Sequence, residues 1–180
     1  MNPLLISLQK NLWVYLCLIS TCIFAQGVHF KHLSINDGLS QNAVFAITQD
    51  HDGFMWFGTK DGLNKYDGYK FTVYHNDPND PATLDANYIK SIFCDSQGVL
   101  WVGTENGELN KFNKNTNSFL RIKLPLSDGS GINNFEIKVI IEDYSGNIWV
   151  GTRNNGLFKI AATETDMTKI LSIARTAASS

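Results

Sequence analysis

Apolar and polar residues alternate in short runs along most of the chain, and the same order of runs returns three times. The runs are residues 42–68 (NAVFAITQDHDGFMWFGTKDGLNKYDG), 87–113 (NYIKSIFCDSQGVLWVGTENGELNKFN) and 135–160 (FEIKVIIEDYSGNIWVGTRNNGLFKI). Each holds an apolar strand, the motif D-x-x-G-x-x-W-x-G-T, a short polar loop with glycine, and a further strand. Trp56, Trp101 and Trp149 stand 45 and 48 residues apart, a period that belongs to a four-stranded propeller blade.

The pattern predicts strands A to D near 43–49, 54–59, 62–67 and 69–75 in the first blade. In the second they fall near 88–94, 99–104, 108–113 and 118–123. In the third, A to C fall near 136–142, 147–152 and 156–160, and no outer strand is recognisable. Residues 29–34 (HFKHLS) read as a strand of a neighbouring blade, and residues 76–85 (NDPNDPATLD) as an inter-blade linker. The expected fold is therefore all-β, a partial β-propeller of about three four-stranded antiparallel blades with the third incomplete. The blades span about 36–80, 81–128 and 129–160 within a propeller segment 27–160. Residues 161–180 break the pattern and are expected to be irregular or a short helical tail, since Met167, Ile170, Leu171 and Ala174 have helical spacing.

Each motif position has a physical reason. Asp50, Asp95 and Asp143 begin tight turns in which a carboxylate can take backbone N–H groups. Gly53, Gly98 and Gly146 suit turn positions with positive φ, and Gly58, Gly103 and Gly151 leave room for a close approach. The tryptophans fill space between stacked sheets, a role that fits their fixed place in each blade better than stacking on a sugar.

Composition narrows the picture. Hydrophobic residues make up 43% and charged residues 18%, which permits a packed core. The formal net charge is −2 without a basic stripe, so no nucleic-acid contact is expected. Lys10 followed by the apolar run 11–24 and the small Ala25 reads as a signal peptide over 1–26, which predicts an exported, periplasmic protein. The run is short for a membrane span. Cys17 and Cys22 lie inside that signal, leaving Cys94 as an unpaired thiol in an apolar strand. His29, His32, His51 and His75 lack zinc spacing, and no catalytic motif, metal site or cofactor is expected.

Residues 29–160 carry a resemblance. The segments LSQNAVFAITQDHDGFMWFGTKDGLNKYDGYKFTVY, HNDPNDPATLDANYIKSIFCDSQGVLWVGTENGELNKF and IIEDYSGNIWVGTRNNGLFKI resemble the two-component regulator propeller repeat. The resemblance implies the periplasmic sensor region of Bacteroidetes-type hybrid two-component sensor histidine kinases, whose members commonly detect oligosaccharides. It also implies that remaining blades, a membrane helix and a kinase complete such a protein. These 180 residues hold no kinase motif, so the expectation is a non-enzymatic, truncated N-terminal fragment of the sensor. The alternative is a stand-alone exported scaffold for protein interaction, self-associating through exposed blade edges; a propeller enzyme such as a lyase would need a catalytic cluster. Glu108 and Asn155 are extra loop residues relative to the first repeat, and Phe135 stands where the others have Asn42 and Asn87.

Strand parity places the B–C loops and the segments leading into strand A at one end of the blades. Loops on a rigid scaffold are where binding usually resides. The B–C loops differ each time: Lys60 and Asp61, Glu105 and Asn106, Arg153 and Asn154. The segments leading into strand A supply Asn42, Asn87 and Asn134. These nine residues are the candidate ligand-binding set, with side chains able to hydrogen-bond a sugar.

Overall fold

The computed structural model describes residues 30–125 and 136–162, with the backbone of 171–173. The expected signal segment and Asn134 lie outside the described residues. The chain divides into two units, residues 1–32 and 33–180. Every blade belongs to the second, and residues 30–34 carry no strand, contrary to the expectation for 29–34. A 3-10 turn at Ile35–Asp37, capped by Ser34, leads in instead.

The first blade is β1 (Val44–Gln49), β2 (Met55–Thr59), β3 (Gly62–Tyr66) and β4 (Phe71–Tyr74). The second is β5 (Ile89–Cys94), β6 (Leu100–Thr104), β7 (Glu108–Asn113) and β8 (Ser118–Lys123). The third is β9 (Ile137–Glu142), β10 (Ile148–Thr152), β11 (Leu157–Ile160) and β12 (Leu171–Ile173). Each sheet is an antiparallel meander in chain order. The third blade is therefore complete. The tail expected to be irregular or helical supplies its outer strand, with Leu157 opposite Ile173 and Lys159 opposite Leu171. Strand pairing overrides the weak helical spacing, because β11 otherwise presents an unpaired edge. Among the described residues no helix is long and apolar enough to cross a membrane.

The blades stack through two apolar clusters. Trp56, Leu63, Leu84, Ile89, Leu100, Val102 and Phe119 join the first blade to the second. Trp101, Leu109, Ile122 and Leu124 meet Ile137, Ile140, Ile148, Val150 and Phe158 at the next junction. The W-x-G-T glycines of the first two blades are the holes at these junctions. A Cβ on Gly58 would lie 2.7 Å from Ile89 Cγ2, and one on Gly103 would lie 2.4 Å from Ile137 Cγ2. The close approach is thus by the isoleucine of the following blade's inner strand.

The D-x-x-G turn does more than reverse the chain. In the second blade Asp95 Oδ1 accepts from Gln97 N at 3.0 Å and Val99 N at 2.8 Å, and Oδ2 accepts from Trp101 Nε1 at 2.7 Å. Asp50 holds Trp56 at 2.7 Å and Asp143 holds Trp149 at 2.8 Å in the same way. One carboxylate therefore caps the turn and satisfies the indole N–H that its neighbouring strand brings in.

The presumed linker is a built element. Leu84 is fully buried. Arg121 donates from Nε to Thr83 O at 2.8 Å, and from Nη2 to Leu84 O at 2.8 Å and Asp80 O at 3.0 Å. Asp85 then docks on two strands: Oδ1 accepts from Asn110 Nδ2 at 2.7 Å and Oδ2 from Thr104 Oγ1 at 2.8 Å. Ser40 occupies the matching place in the first blade, bonded to Asn64 and Thr59.

Candidate functional site

The inner strands do not run as plain strands. Their apolar residues stand three apart, at Val44 and Ile47, Ile89 and Ile92, Ile137 and Ile140. A regular strand would put such a pair on opposite faces. A one-residue bulge reconciles them: Val44 pairs with Thr59 and Ala46 with Gly58, skipping Phe45. Ile89 and Ser91 pair with Thr104 and Gly103, skipping Lys90. Ile137 and Val139 pair with Thr152 and Gly151, skipping Lys138. Bulges re-aim side chains, and here the same device acts at the same height in three adjacent blades.

The re-aimed side chains form one cluster. The Phe45 and Tyr88 ring centroids are 4.9 Å apart. Lys90 Nζ lies 3.2 Å from the Tyr88 centroid and 5.9 Å from that of Phe45, and Lys60 Nζ lies 5.6 Å from Tyr88. Across the junction, Lys90 Nζ is 3.4 Å from Glu136, Arg153 Nη1 is 3.7 Å from it, and Lys138 forms a close ion pair with it. The Lys138 hydrogen bond, followed by the nearby positive charges, holds the Glu136 carboxyl below the usual carboxylate range. The Lys90 side chain is only 11% exposed, whereas Lys138 and Arg153 are 49% and 62% exposed.

The B–C loops and the segments leading into strand A do meet at this end. Gly62 N donates to Asn87 O at 2.8 Å, Glu105 N to Tyr88 O at 3.1 Å, and Arg153 N to Glu136 O at 2.8 Å. Lys60 and Arg153 therefore reach the cluster. Asp61 faces His75 at 3.6 Å. Glu105, Asn106 and Asn154 are exposed, and Asn154 has a left-handed φ of 74°. Asn42 and Asn87 have framework contacts: their Oδ1 atoms accept from Ile35 N at 3.0 Å and Asn76 N at 2.7 Å. Sequence reasoning missed Phe45, Lys90, Glu136 and Lys138. The three-residue apolar spacing was the signal that could have found them.

At the other end, a cavity of about 530 Å³ opens between the second and third blades, lined by Asp95, Trp101, Lys111, Glu142 and Gly146 among others. Its polar groups are largely bonded to one another, Asp95 to Trp101 and Ser96 to Glu142 at 2.6–2.8 Å. Cys94 is half-buried and burial pushes its thiol up, away from nucleophilic chemistry. Among the described residues no group of His, Cys, Asp and Glu is placed to hold a metal.

The family model for the two component regulator propeller matches residues 38–61, 83–106 and 130–154. The chain carries two-component regulator propeller repeats. A curated relative, Histidine kinase P4 of Formosa agariphila, is 49% identical over 55 residues, covering 31% of this chain and 4% of that protein. Among solved structures, the extracellular domain assigned to a hybrid two component system of B. thetaiotaomicron matches with a TM-score of 0.63. It is 30% identical and covers 73% of this chain and 18% of that one. A second such domain matches at a TM-score of 0.60 and 23% identity, and a streptogramin B lyase at 0.51 and 21%; both show the fold alone. This chain spans about a fifth of the extracellular domains it matches. Each matched segment runs through one W-x-G-T into its B–C loop, so together they contain the junction glycines Gly58 and Gly103 and most of the candidate site.

Proposed function

We propose that this chain is the exported, ligand-sensing propeller segment of a hybrid two-component signalling protein, and that its ligand is an oligosaccharide. The observation that carries the reading is the cluster at one end of the blades. Three bulges aim one aromatic ring and two ammonium groups at one place, where the B–C loops also gather, on a scaffold whose repeated positions are otherwise taken up by packing. The half-exposed Phe45 ring suits a sugar ring, and Lys60, Arg153 and the exposed amides suit hydroxyl groups. Export is supported by Lys10 with the apolar run 11–24 and by the extracellular origin of the matched B. thetaiotaomicron domains. The test is calorimetric titration of oligosaccharides into the protein and into a variant with Lys60, Asp61, Arg153 and Asn154 replaced by Ala. Binding that the replacement weakens supports the site. Binding that it leaves unchanged places the ligand elsewhere.

One observation favours a second reading, a scaffold that associates through its end faces. Ile47 on the first blade is 59% exposed, and Val139 and Ile141 on the third are 49% and 52% exposed. They occupy blade faces that at the two internal junctions are covered by a neighbour. Further blades or a second copy would cover them, and sedimentation of the purified chain separates monomer from assembly.

A further inference from the structure

We propose that the bulge cluster is a subsite for the carboxylate of an acidic saccharide, with Lys90, Lys138 and Arg153 as its cationic wall and the Phe45 ring, half-exposed, as its floor. The inference rests on the sensing reading and deepens it. Three cations, contributed by two inner strands and a B–C loop, converge on the single carboxylate of Glu136, with Lys60 a fourth cation 5.6 Å from the Tyr88 centroid. That leaves the cluster with surplus positive charge. Lys90 is the telling residue: a nearly buried ammonium needs an anion or a π face, and the fold places it between both, at 3.4 Å from Glu136 and 3.2 Å from the Tyr88 centroid. Lys138 and Arg153 remain half-open to solvent. They can turn from Glu136 to an incoming carboxylate, while the sugar ring lies against the half-exposed Phe45 ring. A neutral sugar would use the floor but not the wall.

The bulge explains why the wall exists. Without it, Lys90 and Lys138 would follow the strand's alternation and leave the shared face.

The test is binding of the intact protein to an array of uronate-containing oligosaccharides printed beside their carboxyl-reduced neutral counterparts. The expected result is preference for the acidic members by about tenfold or more, as for hydrogen bonds to charged groups, and weakening with salt. Equal binding of acidic and reduced members overturns the inference and leaves the sensing reading standing. Binding to neither overturns both. Lys90→Met and Lys138→Met, checked for an unchanged melting temperature, should each reduce the acidic preference, and a preference they leave intact overturns the assignment. Glu136→Gln removes the internal competitor and should tighten acidic binding by about threefold. An unfolded variant cannot mimic that gain, and a loss on this change counts against the subsite.

Discussion

Replacing Gly103 by Ala tests whether the blades lock through glycine holes. The added Cβ would lie 2.4 Å from Ile137 Cγ2, 2.5 Å from Ser91 Oγ and 2.7 Å from Ile137 Cβ. Relief requires a shift of roughly 1 Å to reach ordinary contact in a close-packed interior. Little there can yield. Ile137 is fully buried, pairs with Thr152 in its own sheet, and its carbonyl accepts from Ser91 Oγ at 3.1 Å. Overpacking of this kind costs about 1–3 kcal/mol, offset by about 0.4–1 kcal/mol because alanine narrows the unfolded ensemble. A net loss of about 2 kcal/mol corresponds to roughly 4–8 °C in melting temperature for a chain of this length.

The comparison with the other two W-x-G-T glycines makes the reasoning refutable. Gly58 meets Ile89 Cγ2 at 2.7 Å, with Ile92 Cδ1 at 3.2 Å, so its alanine should cost somewhat less. Gly151 meets only Val139 of its own blade, Cγ1 at 2.6 Å and O at 3.9 Å, and Val139 is half-exposed, with no neighbouring blade packed on it to resist a shift. Thermal melts of the three variants should rank Gly103→Ala as most damaging and Gly151→Ala as least. A Gly103→Ala protein that melts like the parent, or a Gly151→Ala protein that suffers equally, refutes the account. Pairing Gly103→Ala with Ile137→Ala in a double-mutant cycle should show the two costs to be less than additive, because truncation removes the atom struck first.

Asp95→Ala leaves the Trp101 indole N–H and two turn amides without their acceptor, and a loss of about 2–4 kcal/mol in urea-monitored stability is expected. Arg121→Met should leave the blades folded but expose residues 77–84 to limited proteolysis, since Arg121 gathers four carbonyls of that segment. Burial, followed by smaller opposing hydrogen bonds, raises the Asp85 carboxyl above its ordinary 3.8, so its contribution is fully present below 3.8 and lost as pH rises through the raised folded value. Asp85→Asn should therefore gain on the parent in melting temperature as pH rises above about 4. Asp143 has the opposite sign: the Trp149 bond, then Asn147, holds its carboxyl well below 3.8, so its contribution is intact above 3.8 and fades as pH falls. Asp143→Asn should flatten the acid limb of the melting profile.

Much of the fold was legible because propeller repetition supplies three readings of each position. The D-x-x-G turn and the tryptophan period located β1 to β3, β5 to β7 and β9 to β11 to within a residue or two. Two things were not legible. The outer strand β12 comes from a tail whose composition resembles no other blade, and only its pairing with β11 defines it. The role of the linker was hidden too, because Pro, Asn and Asp are loop residues whatever holds them. Its Asp85 docks on Asn110 twenty-five residues away, and Ser40 on Asn64 at nearly the same distance, a correspondence visible only once register is known. The loop half of the candidate site was found from parity, while its inner half depended on a bulge.

That bulge separates what the repeats share from what they do not. Asp, Gly, Trp and the second Gly recur in every blade, and each is accounted for by a turn, a hydrogen bond or a junction hole. Phe45, Lys90 and Lys138 occupy one equivalent position yet bring two different chemistries to it, an aromatic ring and an ammonium. Packing cannot require both an aromatic ring and an ammonium at equivalent sites, so stability alone does not choose them. The position is free to vary because the bulge lifts it out of the ladder and out of the apolar clusters that join the blades. A repeat protein that must recognise something asymmetric needs such a position. Here it lies beside the B–C loops, the other place where the three blades disagree.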